Sequence, residues 1–169
     1  MLRSKMLLPI LLVVAALAPA ACSSLSLPPG SSGYIGLMPY WDEQQGIQGV
    51  SPLEGWAEDI RLIQAALPMD TEGAMAELRA QTGLEELPAS AGTLKGKAFT
   101  WDLYTFESPL KDADVDLVHY QLAVAGTGDG TSGPTYISIL LSLPEDYQAG
   151  PEFYDSVFTH VVYSLEPME

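Results

Sequence analysis

The chain contains little cysteine, histidine and basic side chain, and each shortage excludes a class of function. Its 169 residues include one Cys, two His, and 7 Lys and Arg against 22 Asp and Glu. A single Cys excludes an intramolecular disulfide, a cysteine-rich zinc site and an iron–sulfur cluster. The net charge of −15 argues against nucleic-acid binding, which needs a basic surface. The length fits one domain, and 47% hydrophobic residues suffice for a packed core.

The first residues have the pattern of an export signal. Arg3 and Lys5 precede an apolar run of thirteen residues, Met6 to Ala18. That run is too short to span a bilayer and suits the hydrophobic region of a signal peptide. No second apolar segment of this kind follows it. We therefore expect residues 1–21 to be a signal peptide and the protein to be exported.

The processing site has two competing interpretations. Ala18-Pro19-Ala20 fits ordinary signal cleavage. Ala20-Ala21-Cys22-Ser23 resembles a bacterial lipobox, in which Cys22 is lipidated and becomes the mature N-terminus, although the usual lipobox has Leu where this chain has Pro19. The lipobox is favoured because the only Cys lies at the one position that lipidation requires. An uncleaved signal anchor is a third alternative.

The segment after the signal predicts a tether. Residues 22–38 are rich in Ser, Gly and Pro, a composition typical of flexible linkers. Cleavage before Cys22 would leave 148 residues with 5 basic and 22 acidic side chains, a net charge of −17. Such a domain is repelled by anionic lipid headgroups. We expect a domain at residues 39–168, held off the outer face of the cell membrane by a lipidated N-terminus.

Hydrophobic periodicity within that domain predicts five strands and two helices. Near-alternation and β-branched or aromatic residues mark the strands, and apolar residues spaced three and four apart mark the helices. Hairpin connections in the second half, including the polar Gly-rich loop 126–133, favour an α+β fold in which helices flank an antiparallel sheet. The predicted strands are Gly46–Ser51, Glu58–Leu67, Ala98–Phe106, Asp116–Ala125 and Pro134–Leu143, and the helices Thr71–Gln81, capped by Thr71, and Glu152–Leu165.

Four segments together resemble PsbP-like domains. These are the "strand, Pro, Gly-Trp" opening from Gly46 to Trp56, the central strand Phe99–Phe106, the next hairpin, and the closing helix with its ending Ser164-Leu165-Glu166-Pro167. The pattern is also similar to modules that follow hydrolase domains in some Chloroflexi envelope proteins. The resemblance covers roughly residues 39–168. It implies an α/β/α sandwich that binds other proteins, and it transfers no catalytic residue.

No catalytic or metal-binding motif is complete. The segment from Gly49 to Leu53 lacks the last Gly of a serine nucleophile elbow. Asp112, Asp114 and Asp116 begin like a calcium-binding loop, but the later positions lack the required Gly and Glu. The two histidines, His119 and His160, are interpreted as structural or surface residues. We expect no enzyme activity and no cofactor.

Aromatic side chains offer the remaining candidate site. Trp41, Trp56 and Trp101, with several tyrosines that include Tyr40, Tyr104 and Tyr136, could line a groove for a peptide or a sugar. Trp56 and Trp101 are better explained as core residues. Tyr40 and Trp41, next to the tether, are predicted to belong to a contact surface. The leading hypothesis is a non-catalytic module that binds an envelope protein, and the alternative is a lipoprotein that binds a small ligand or Ca²⁺.

Overall fold

The computed structural model describes residues 37–52, 61–82, 84–109, 117–127 and 133–169. Within them the chain forms eight strands and three helices. The strands are β1 (Leu37–Asp42), β2 (Ile47–Pro52), β3 (Arg61–Leu67), β4 (Gly92–Lys95), β5 (Thr100–Ser108), β6 (Val118–Gly126), β7 (Thr135–Ser142) and β8 (Glu166–Pro167). The helices are α1 (Thr71–Thr82), α2 (Pro144–Ala149) and α3 (Pro151–Ser164).

Five strands form one antiparallel sheet in the order β3-β7-β6-β5-β4. The central strands β6 and β7 are buried on both faces, which explains why apolar residues occupy both faces of each strand. Their register pairs Gly126 with Thr135, so they form the hairpin that the Gly-rich loop predicts. Along β5, Trp101 and Leu103 pack on one face of the sheet, and Tyr104 and Phe106 pack on the other, in agreement with the predicted alternation.

Helix α1 covers one face of this sheet. Ala74 is fully buried there, and Met75 and Leu78 pack beside it against apolar side chains of β3, β6 and β7. The predicted apolar stripe is therefore confirmed, but the predicted cap is wrong. Asp70, which precedes the helix, accepts the backbone N–H of Gly73 at 2.8 Å. A carboxylate in the N-cap position satisfies an amide that the first helical turn leaves free.

Helix α3 covers the opposite face with the stripe that its periodicity predicts. Val157, Val161 and Leu165 are fully excluded from solvent, and Phe158 and Val162 widen the buried surface. Burying five such side chains, at about 1.5–3 kcal/mol each, makes this helix a main source of the domain's stability. The short helix α2, which the sequence analysis did not predict, precedes α3 directly.

A second, three-stranded sheet of order β1-β2-β8 packs beside α3, where a single sheet was predicted. Leu37 and Met38, assigned to the tether by the sequence analysis, lie in β1. Pro39 is tolerated because β1 is an edge strand and the residue opposite it, Val50, directs its N–H to Ser164 rather than to β1.

The architecture confirms the predicted α+β class, with helices on both faces of an antiparallel sheet. None of the helices in the described part of the chain is long and apolar enough to cross a membrane. Cys22, Trp56, Asp112, Asp114 and Asp116 lie outside the described residues.

Candidate functional site

An open groove lies where the β1–β2 hairpin meets the end of α3 and β8. Its cavity volume is about 320 Å³. Tyr40 and Trp41 line it together with two charged side chains, Lys97 and Glu166, and with Met168. The groove therefore combines aromatic surface with one positive and one negative charge.

A close approach of β2 to the end of α3 builds the groove. A side chain at Gly49 would bring a Cβ within 3.0 Å of the Ser164 hydroxyl and 3.2 Å of the Leu165 Cα atom, so only glycine fits without a shift. The Ser164 hydroxyl accepts the N–H of Val50 at 2.9 Å and donates to the carbonyl of Val161 at 2.9 Å. These contacts fix β2, and with it the aromatic residues of β1, against the helix.

Strand β8 completes one wall of the groove. The side-chain amide of Gln48 donates to a carboxylate oxygen of Glu166 at 3.4 Å, and the Lys97 ammonium lies 4.0 Å from the same oxygen. The backbone N–H of Met168 donates to the carbonyl of Gly46 at 2.8 Å. Lys97 and Glu166 remain half and one-third exposed, so their attraction is weak and both stay available to a ligand.

The two aromatic residues differ in how they meet the solvent. Trp41 is 50% exposed, an unusual degree for the largest apolar side chain. Tyr40 is partly buried, and burial, helped by the negative charge of Asp42, raises the pKa of its phenol to about 12. Tyr40 is therefore neutral and can donate a hydrogen bond throughout the physiological pH range.

The structure brings together two of the aromatic residues that the sequence analysis singled out. Tyr40 and Trp41 both line the groove, whereas Trp101 is fully buried, as predicted, and stacks edge-to-face on Phe99 at 5.3 Å. Tyr104 and Tyr136 pack on opposite faces of the large sheet, so a groove formed by all these rings does not exist in the described structure.

Four buried polar side chains form a second unusual feature, here called the polar stripe: Gln64, Ser138, Gln121 and His119. Gln64 pairs with Ser138 across the sheet, and Ser138 pairs with Ala123, which lies on the same face of β6 as Gln121 and His119. All four therefore lie under α2 and α3. Six of their polar atoms have no hydrogen-bond partner in the described structure.

His119 lies at the end of the polar stripe below α2. Its ring stacks on Tyr147 at 3.6 Å between centroids, and its Nδ1 atom is 4.0 Å from a carboxylate oxygen of Glu107, beyond hydrogen-bond distance. Asp155 accepts hydrogen bonds from Gln121 at 2.7 Å and from Tyr147 at 3.1 Å. Burial lowers the pKa of His119, and the charges of Glu107 and Asp155 only partly oppose this effect.

The pKa shift of His119 predicts a measurable pH dependence. In the unfolded chain His119 takes up a proton near pH 6.5, whereas in the folded chain it does so only at a lower pH. The contribution of neutral His119 to the free energy of unfolding is therefore complete above pH 6.5 and is lost as the pH falls. His119→Phe keeps an aromatic ring beside Tyr147 but cannot titrate. We compare the free energy of unfolding of the native chain with that of the variant. As the pH is lowered from 6.5, the native value minus the variant value should decrease by at most about 1.4 kcal/mol per pH unit. Urea titrations from pH 7.5 to 5 measure this difference, and a constant difference contradicts the prediction.

Neither histidine is arranged as a catalytic base in the described residues. The ring nitrogens of His119 bind no side chain, and the Nδ1 atom of His160 contacts the Ser156 carbonyl at 2.7 Å within α3. No group of three or more Cys, His, Asp or Glu among the described residues is placed to hold a metal ion.

Some groove residues have no signal in the sequence. Lys97 comes from the β4–β5 hairpin and Glu166 from the C-terminal strand, and only the fold brings them to Tyr40 and Trp41. The polar stripe does have a signal, because His119 and Gln121 are two residues apart on an otherwise apolar strand.

Comparison of the chain with models of protein families and with curated proteins finds no match.

Proposed function

We propose that this protein is a non-catalytic, membrane-tethered module that binds another protein of the cell envelope through the groove at Tyr40 and Trp41. The half-exposed Trp41 beside Tyr40 in an open groove carries the proposal. Tryptophan and tyrosine are enriched among the residues that dominate binding energy at protein interfaces. The PsbP-like resemblance, which implies protein binding, supports the same conclusion.

The position of the groove suits a tethered module. Trp41 lies in β1, the first described strand, directly after the predicted tether of residues 22–38. Lipidation at Cys22 would anchor the chain to the outer face of the membrane. The acidic domain would be repelled by anionic headgroups, so the tether would leave the groove free for a partner.

Trp41→Ala tests this function against a matched control. Tyr163, on α3 and outside the groove lining, is 49% exposed against 50% for Trp41, so Tyr163→Ala removes a similarly exposed ring. Full-length protein with each substitution is purified and used to capture partners from envelope extracts. We expect Trp41→Ala to weaken capture of a stoichiometric partner at least 10-fold, as expected for loss of an interface hot spot, and Tyr163→Ala to leave it unchanged. Equal capture by both variants contradicts the proposal.

The groove also supports a second candidate function, binding of a small ligand. Its volume of about 320 Å³ is at the lower end of the range for small-molecule sites. A thermal-shift screen of sugars and short peptides, with Trp41→Ala as the control, tests this alternative. The Ca²⁺ form of the alternative depends on Asp112, Asp114 and Asp116, which lie outside the described residues, and calorimetry with Ca²⁺ tests it directly.

A further inference from the structure

The partner's charge can be inferred from the distribution of charge around the groove. The described residues include fifteen acidic and four basic side chains. After Lys111 the chain has no Lys or Arg up to its last residue, Glu169. That stretch supplies α2, α3 and β8, so none of these three elements carries a Lys or Arg side chain, and Lys97 of the β4–β5 hairpin is the basic residue beside them in the groove. The charge around this wall of the groove is therefore mainly negative. Such a field attracts a positively charged partner and repels an acidic one.

The groove itself favours a cation. Lys97 is the basic residue among its lining side chains, and its ammonium is already 4.0 Å from Glu166. That pair is solvent-exposed and weak, so a cation from a partner can replace Lys97 at Glu166. The exposed ring of Trp41 adds a face on which a guanidinium or ammonium group is attracted by the aromatic electrons.

The shape of β1 indicates how a segment would bind. As an edge strand, β1 could pair with a partner strand through its open backbone groups. Pro39, in its middle, has no N–H to offer on that open side. Recognition therefore depends on side chains of the groove rather than on strand addition.

We infer that the groove binds an extended, arginine- or lysine-rich segment of the partner, with a cationic group stacked on Trp41 and paired with Glu166. The inference rests on the proposed function and specifies the partner's chemistry. Lys97 is then a competitor of the ligand, since it occupies the same carboxylate.

Two synthetic peptides of equal length, one repeating Gly-Arg-Pro and the other Gly-Glu-Pro, test the inference on the full chain in mild detergent. We expect the basic peptide to bind and the acidic one not to bind, with affinity that falls as salt is raised. Trp41→Ala should weaken binding at least 10-fold and Glu166→Gln several-fold, while Lys97→Gln should strengthen it. Tyr163→Ala should leave it unchanged.

Three results would overturn the inference: no binding of the basic peptide, equal binding of both peptides, or binding that Trp41→Ala leaves intact. If the acidic peptide binds instead, and Lys97→Gln weakens its binding while Glu166→Gln strengthens it, the ligand of the groove is acidic. The outcome is separable from that of the proposed function. If the basic peptide fails while Trp41→Ala still abolishes partner capture, the groove binds a partner of different chemistry. If the basic peptide does not bind and Trp41→Ala also leaves partner capture unchanged, the groove is not the contact surface.

Discussion

Replacing Trp101 with alanine is expected to lower the free energy of unfolding by about 3–5 kcal/mol. Trp101 is completely buried between the large sheet and α3, where its ring contacts Phe99 edge-to-face. Removal of the indole ring leaves a cavity, or a gap that water fills, between β5 and α3. Because a domain of this size has about 5–15 kcal/mol of stability in total, the loss is a large fraction of it.

Urea denaturation followed by circular dichroism measures the effect of Trp101→Ala. Trp41→Ala is the matched control, since it removes the same side chain from an exposed position and should change the unfolding free energy by no more than about 0.5 kcal/mol. Similar losses of unfolding free energy in the two variants would show that Trp101 is not a core residue. The control also establishes that loss of partner binding in Trp41→Ala does not result from unfolding.

Replacing Cys22 with alanine is expected to abolish lipid labelling and to release the protein from membranes. The lipobox interpretation makes Cys22 the attachment site of the acyl chains, and each buried CH₂ group contributes about 0.8 kcal/mol to membrane binding. Metabolic labelling with a fatty-acid analogue and membrane fractionation measure both effects.

Ser23→Ala provides the control for Cys22→Ala, because it changes a neighbouring small residue and leaves the acceptor thiol in place. It should retain label and membrane association. The two other interpretations give different results. Ordinary cleavage after Ala20 would leave the protein unlabelled with or without Cys22, and an uncleaved anchor would keep it on the membrane in both variants. Labelling that survives Cys22→Ala contradicts lipidation at this residue.

Most of the large sheet and its helices could be predicted because their residues obey a local period. The stripe of α3 and the alternation of β5 are visible in single segments, and each is long enough for the pattern to repeat. Three of the elements that were missed are very short. Strands β4 and β8 have four and two residues, and helix α2 has six. Their formation depends on neighbours supplied by the fold.

The small sheet illustrates the limit of local pattern most clearly. Strand β1 contains Pro39 in its centre, and a proline there argues against a strand. It is tolerated because the opposite residue, Val50, donates its N–H to Ser164 instead of to β1, and Ser164 is 114 positions away in the sequence. The same limit applies to the groove. Tyr40 and Trp41 were predicted as a contact surface, but the pairing of Gln48 with Glu166 joins residues 118 positions apart, and no local signal specifies it.

The groove at Tyr40 and Trp41 is proposed as the contact surface for an envelope protein, and crosslinking in cells tests this proposal. A photoreactive phenylalanine analogue is introduced in place of Trp41 and, in a separate strain, in place of the equally exposed Tyr163. If this proposal holds, we expect one discrete, light-dependent adduct from position 41 and none from position 163. No adduct at position 41, or the same adduct from both positions, would contradict it.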